Sequence, residues 1–277
     1  MSGTASVEAW SGKDRRDENF PVGSRLIRAD LRAHVHAFYS FARNADDIAD
    51  SPVLTAQDKL DRLDIMEEVL LGRRDHGAPS ALTLRASLAA TGVASIHASE
   101  LLVAFRRDAT KRRYATIAEL DEYCRYSAAP VGRYVLDLHG ESPATHAPSD
   151  ALCAALQVLN HLQDCGHDLV ALDRCYLPED LLNRLGGSIG ELRRPSETPA
   201  LRAVFDALLS HVDRWVSLAP ELPRRVASRR LRVETAVIVG LARRLAVRLR
   251  HEDPLAHRVK LTRRDIALSI GRALRFL

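Results

Sequence analysis

Five aspartates in two short runs form the pattern most suited to chemistry in this chain. The first run is Arg43-Asn44-Ala45-Asp46-Asp47-Ile48-Ala49-Asp50. On a helix Arg43, Asp46 and Asp50, spaced three and four apart, share a face, and Asp47 stands about 100° away from Asp46. Three carboxylates so close repel one another, and at a helix C-terminus they also oppose the macrodipole. Such a cluster costs stability unless a cation offsets it. Carboxylate oxygens suit hard divalent ions, above all Mg²⁺, which keeps several waters and shares phosphate oxygens. The plainer explanation for the run alone is a solvated helix end.

The second run is Gln157-Val158-Leu159-Asn160-His161-Leu162-Gln163-Asp164-Cys165-Gly166-His167-Asp168. Gln157, Asn160, Asp164 and Asp168 follow at intervals of three, four and four, a polar stripe along a helix rich in leucine (Leu152, Leu156, Leu159, Leu162, Leu169). Polar groups on a core helix need partners. Facing each other, the two acidic helices are expected to hold two or three Mg²⁺ ions around one diphosphate. Metal ions then act as Lewis acids and templates, arginines add charge-assisted contacts, and ionisation leaves a carbocation that aromatic faces and fixed dipoles stabilise. A third segment, Tyr123-Cys124-Arg125-Tyr126-Ser127-Ala128-Ala129-Pro130-Val131-Gly132-Arg133-Tyr134, puts Tyr123, Ser127 and Tyr134 on roughly one helical side, with a kink expected at Pro130. Small neighbours there leave room for a long apolar chain; core packing is the plainer explanation of the segment alone.

The elements that must position these residues are helices. Apolar residues recur at three- and four-residue intervals over about 29–50, 55–72, 80–107, 116–140, 149–172, 200–219, 222–250 and 262–276. Pro and Gly cluster at 76–79, 140–148 and 186–199, which reads as loops. Length (277 residues), 46% hydrophobic and 27% charged residues describe an ordinary globular chain, and no linker divides it, so one all-α domain over 1–277 is expected, with 1–18 a flexible N-terminus. Basic and acidic residues number 40 and 36, a balance of 40 − 36 = +4, too small to suggest nucleic acid as a partner. Four cysteines without CxxC spacing give neither a disulfide framework nor a zinc site. With no secretory signal and no bilayer-length apolar run, a cytoplasmic location is expected.

Taken together, Arg43-x-x-Asp46-Asp47-x-x-Asp50, Tyr123-Cys124 through Gly132, Gln157-x-x-Asn160 with Asp164-x-x-x-Asp168, and Asp173-Arg174-Cys175-Tyr176-Leu177-Pro178 resemble the squalene/phytoene synthase family of head-to-head prenyl synthases. The resemblance implies an all-α isoprenoid-synthase bundle with a central apolar cavity. It further implies Mg²⁺-dependent loss of diphosphate from presqualene diphosphate, rearrangement, and water capture to hydroxysqualene, with no NADPH. Carried over by position, Asp46, Asp47 and Asp50 would bind Mg²⁺ from one wall and Asn160, Asp164 and Asp168 from the other. Arg43 and Arg174 would hold phosphate oxygens, Tyr123 and Gln157 would line the reacting centre with Ser127 nearby, and Asn19 and Phe20 would close over the pocket. Many condensing relatives carry Arg before the second aspartate motif; this chain has Gln163, which should weaken one diphosphate contact.

Two rival functions remain at this level: condensation of prenyl diphosphates by the same scaffold, and a noncatalytic assembly role in contact with neighbouring pathway enzymes. Relatives of the second kind tend to lose their metal carboxylates, which this chain keeps. The basic, amphipathic stretch 262–276 is expected to pack its Ile266, Ile270, Leu274 and Leu277 side on the bundle; a peripheral place on an anionic membrane is the alternative.

Overall fold

The computed structural model describes residues 6–8 and 27–277, so Asn19 and Phe20 lie outside the described residues. Every regular element among the described residues is helical, as the periodicity requires. The described residues fall into two compact units: those within Met1–Thr110 together with Arg133–Gly140, and Lys111–Gly132 with Glu141–Leu277.

In the first unit, α1 (Arg32–Asp50) packs against α2 (Ala56–Leu70), α3 (Pro79–Thr91) and α4 (Ile96–Thr110). Phe38, Phe41, Ala45, Ile48 and Ala49 form the buried face of α1, and this one-sided burial turns Arg43, Asp46 and Asp50 the other way. The acidic load at the end of α1 has an offset: Lys59 of α2, itself buried, donates from Nζ to the Ala49 carbonyl at 2.8 Å. A cation on a terminal carbonyl is favourable to the helix dipole. Thr55 and Asp58 close a capping box that starts α2. The apolar period over 80–107 continues straight through Gly92, yet the helix ends there because Gly92 takes a left-handed φ of 73°.

In the second unit, α7 (His146–Leu172) packs against α5 (Ile117–Ser127), α9 (Pro199–Leu218) and α11 (Arg229–His251). Short helices α8 (Glu179–Arg184) and α10 (Glu221–Arg225) precede α9 and α11, and α12 (Arg263–Ala273) lies on α11. The expected helix 116–140 is two helices, α5 and α6 (Ala129–Leu138), parted at Ala128. Pro130 is the cause: with no N–H to donate four residues back it cannot continue the ladder of α5, whereas proline fits the first turn of a new helix. Tyr123, Ser127 and Tyr134 therefore do not share one helical side. Tyr134 belongs to the first unit, where its ring stacks on Phe38 with centroids 3.9 Å apart and its hydroxyl donates to the His34 carbonyl at 3.0 Å.

The orientation of α12 also departs from expectation. It packs on α11 through Asp265, Ser269 and Ala273, leaving Ile266, Ile270 and Leu274 exposed. Small residues decide this. A Cβ at Gly240 of α11 would stand 2.9 Å from the Ser269 Cβ, so the two helices approach where only glycine fits.

Candidate active site

The acidic end of α1 is a set of carboxylates with too little positive charge. Arg43 answers two of them, at 3.2 Å to Asp46 Oδ2 and 2.8 Å to Asp47 Oδ1. Burial, and then the Asp50 charge, push the Asp46 carboxyl well above the ordinary carboxylate range, against the pull of Arg43. Asp108, buried on α4, adds to the repulsion and is a member that local spacing does not reveal. Asp46 still keeps 36% of its side-chain surface open, so an ion can reach it.

The stripe on α7 has the same character. Gln157, Asn160, Asp164 and Asp168 are all half-buried, between the fully buried Val158, Leu159, Leu162 and Leu169. Burial and then Asp164 raise the Asp168 carboxyl, while His167 and Arg174 pull it down. Arg258, ninety-four residues on, pairs with Asp164 along one guanidinium edge: Nε donates to Oδ1 at 2.8 Å and Nη2 to Oδ2 at 2.9 Å. Such a fork is the strong form of a carboxylate contact. Gln163 points elsewhere: it is buried and donates to the Val259 carbonyl, fixing the segment that carries Arg258.

Beside this stripe is a buried aromatic cluster. The His161 ring stacks on Tyr176 with centroids 3.5 Å apart, and Tyr123 and Tyr114 lie 5.4 Å from Tyr176. Tyr123 Oη and Tyr176 Oη approach to 3.4 Å, and the buried Arg174 donates from Nη1 to Tyr176 Oη at 3.2 Å. Burial, and then the Arg174 charge, lower His161 to about 3, so the imidazole is neutral at any physiological pH. One of its nitrogens meets Gln157 Nε2 at 3.2 Å. Two chain segments run side by side to hold the cluster: Cys175 N donates to the Arg112 carbonyl at 2.9 Å and Glu179 N to the Tyr114 carbonyl at 2.9 Å. The Ser127 hydroxyl, at the end of α5, is buried and finds no hydrogen-bond partner among the described residues.

Among the described residues no three His, Cys, Asp or Glu side chains converge into a cage of their own. All-oxygen clusters short of positive charge still fit Mg²⁺, which is ordinarily held by one or two carboxylates with substrate phosphates and water.

Comparison with known proteins decides the family. The squalene/phytoene synthase model matches residues 13–265. The chain belongs to the squalene/phytoene synthase family. Within it, the hydroxysqualene synthase of Rhodopseudomonas palustris is 45% identical over 258 residues, 93% of this chain and 88% of that one. The hydroxysqualene synthase of Sinorhizobium fredii is 44% identical, covering 91% and 86%. The phytoene synthase of Mycobacterium tuberculosis is 31% identical, covering 76% and 72%. Among solved structures, squalene synthase HpnC from Alicyclobacillus acidocaldarius superposes with a TM-score of 0.74 at 29% identity, over 85% of this chain and 89% of that one. A dehydrosqualene synthase shares the fold at a TM-score of 0.80 and 21% identity, over 95% and 92%. The all-α isoprenoid-synthase architecture of this family member is thereby shown.

Sequence spacing located Asp46, Asp47, Asp50, Asn160, Asp164, Asp168, Gln157 and Tyr123 on their helical faces. It missed Asp108, Arg258, Tyr114 and the stacking of His161 on Tyr176. Those contacts join residues far apart in the chain, which local spacing does not reveal.

Proposed function

We propose that this enzyme is a hydroxysqualene synthase: it releases diphosphate from presqualene diphosphate and lets water capture the rearranged cation. The observation that carries this reading is the 45% identity to a hydroxysqualene synthase across 93% of the chain, against 31% to a phytoene synthase over a shorter stretch. Asp46, Asp47 and Asp50 in one unit, and Asn160, Asp164 and Asp168 in the other, are the residues that would hold Mg²⁺. When bound, that ion neutralises the leaving diphosphate and polarises it.

The chain's own groups account for the remaining steps. Arg43 and Arg258, each paired with aspartates in the structure, are the cations that would turn to phosphate oxygens. Tyr114, Tyr123 and Tyr176 offer electron-rich ring faces and hydroxyl dipoles to a developing carbocation. Arg174, bonded to Tyr176 Oη, fixes the direction of that dipole. The neutral His161 places no positive charge beside the cation, where an imidazolium would repel it. The unanswered Ser127 hydroxyl is the group we assign to holding a water.

Product analysis tests this reading. With Mg²⁺ and presqualene diphosphate, hydroxysqualene should form whether or not NADPH is present. A hydrocarbon product that requires NADPH, or product from farnesyl diphosphate alone, overturns it.

A further inference from the structure

Helix α12 is built inside out. Its polar and small residues, Asp265, Ser269 and Ala273, are the buried ones, while Ile266, Ile270, Leu274 and Leu277 follow one another along an exposed stripe. Leu274 is 54% and Leu277 72% exposed. An amphipathic helix normally turns its apolar side to the core, and here the close approach at Gly240 and Ser269 holds the opposite orientation in place. The Thr262–Asp265 capping box and the Arg248–Asp265 pair at 3.3 Å fix the helix start in the same sense.

Between α11 and α12 lies a cavity of about 300 Å³, lined by Arg243, Arg244 and Val247 of α11 and by Arg272, Arg275 and Phe276 of the segment that carries the stripe. Among the described residues no carboxylate pairs with Arg243, Arg272 or Arg275, whereas the neighbouring Arg248 is answered by Glu252 at 2.7 Å. From Arg258 onward six basic side chains stand against one acidic side chain, Asp265. The surface therefore combines exposed aliphatic side chains with uncompensated guanidinium groups and a recess for an anionic head.

We infer that the α12 face docks on an anionic lipid bilayer, with Ile266, Ile270, Leu274 and Leu277 entering the interface and the arginine-lined recess receiving a lipid phosphate. Charge complementarity selects this occupant: a second copy of the same face would bring arginine against arginine. The proposed contact is at the bilayer surface; no described helix is long and apolar enough to cross a membrane. It stands on the surface alone and does not depend on which reaction the enzyme performs.

The test is co-sedimentation of the full chain with vesicles of phosphatidylcholine alone or of phosphatidylcholine and phosphatidylglycerol in equal parts, at low and high salt. Binding should require phosphatidylglycerol and be released by salt. Arg272→Gln with Arg275→Gln should weaken it roughly fivefold per arginine. Ile270→Ser with Leu274→Ser should weaken it about tenfold by removing exposed aliphatic surface. Both variants should keep the parent's thermal midpoint, because all four side chains are exposed. Equal binding to both vesicle types, or no binding, overturns the inference. So does a concentration-dependent dimer that Ile270→Ser with Leu274→Ser abolishes, since a second copy would then cover the face.

Discussion

Replacing Gln163 with Leu removes one hydrogen bond that does two jobs. The side chain is 4% exposed, and its amide donates to the carbonyl of Val259, a residue with no solvent-exposed surface. Leucine nearly fills the same volume, so the cavity term is small, but a buried carbonyl loses its donor. That should cost about 1–3 kcal/mol, which for a chain of this size lowers the thermal midpoint by about 2–4 °C per kcal/mol. The second job is to hold the segment from which Arg258 reaches Asp164. That ion pair is partly open to solvent, 45% on the arginine side, so Arg258→Met alone should cost under about 1 kcal/mol of stability. Its effect on catalysis should be the larger one, through a misplaced Asp164. The assay is urea unfolding together with the kinetics of diphosphate release for both single variants and the double variant. Gln163→Leu should be the more destabilising change, and the double variant should turn over no more slowly than Arg258→Met. Stability within about 0.5 kcal/mol of the parent for Gln163→Leu, or catalytic losses that simply multiply, would refute the coupling.

Three further outcomes follow from the same contacts. Lys59→Met leaves the Ala49 carbonyl without its buried donor and removes the cation at the acidic end of α1; urea unfolding should show a loss of about 1–3 kcal/mol. Burial raises the Cys124 and Cys165 thiols and pushes Cys175 to about 11, so all three should resist thiol reagents at neutral pH until the protein is unfolded; rapid labelling of the native enzyme at these sites would contradict the packing. The Thr262 hydrogen bond holds the Asp265 carboxyl below its ordinary value, so its contribution is complete above the unfolded value, about 3.9, and is lost as pH falls through the folded one. The protection of α12 amides against hydrogen exchange, taken relative to their intrinsic rates, should therefore fall at acid pH, and Thr262→Val, which should weaken the helix by about 1 kcal/mol, should remove much of that pH dependence.

The parts of the fold legible in the sequence are those that local periodicity encodes. The spacing of Phe38, Phe41, Ala45 and Ile48 dictates which way α1 turns its aspartates, and the leucines of α7 do the same for Asp164 and Asp168. The break at Gly92 and the one at Ala128 were obscured because apolar spacing continues across both. For α12 the apolar stripe itself misled: the requirement for close approach at Gly240 outweighs the hydrophobic gain of turning the stripe inward, and that requirement lies on another helix. Arg258 escaped notice for the same reason, since its partner is ninety-four residues away. Residue types revealed the site's chemistry sooner than its membership.

The proposed role of both aspartate runs in holding Mg²⁺ is tested most directly by Mg²⁺-dependent diphosphate release from presqualene diphosphate in Asp46→Asn, Asp164→Asn and the pair combined. Each single variant should lose about 100-fold or more, and the combined variant should be scarcely slower than either, as groups acting together require. Near-parental release by either single variant, or a combined loss equal to the product of the two, would contradict the account.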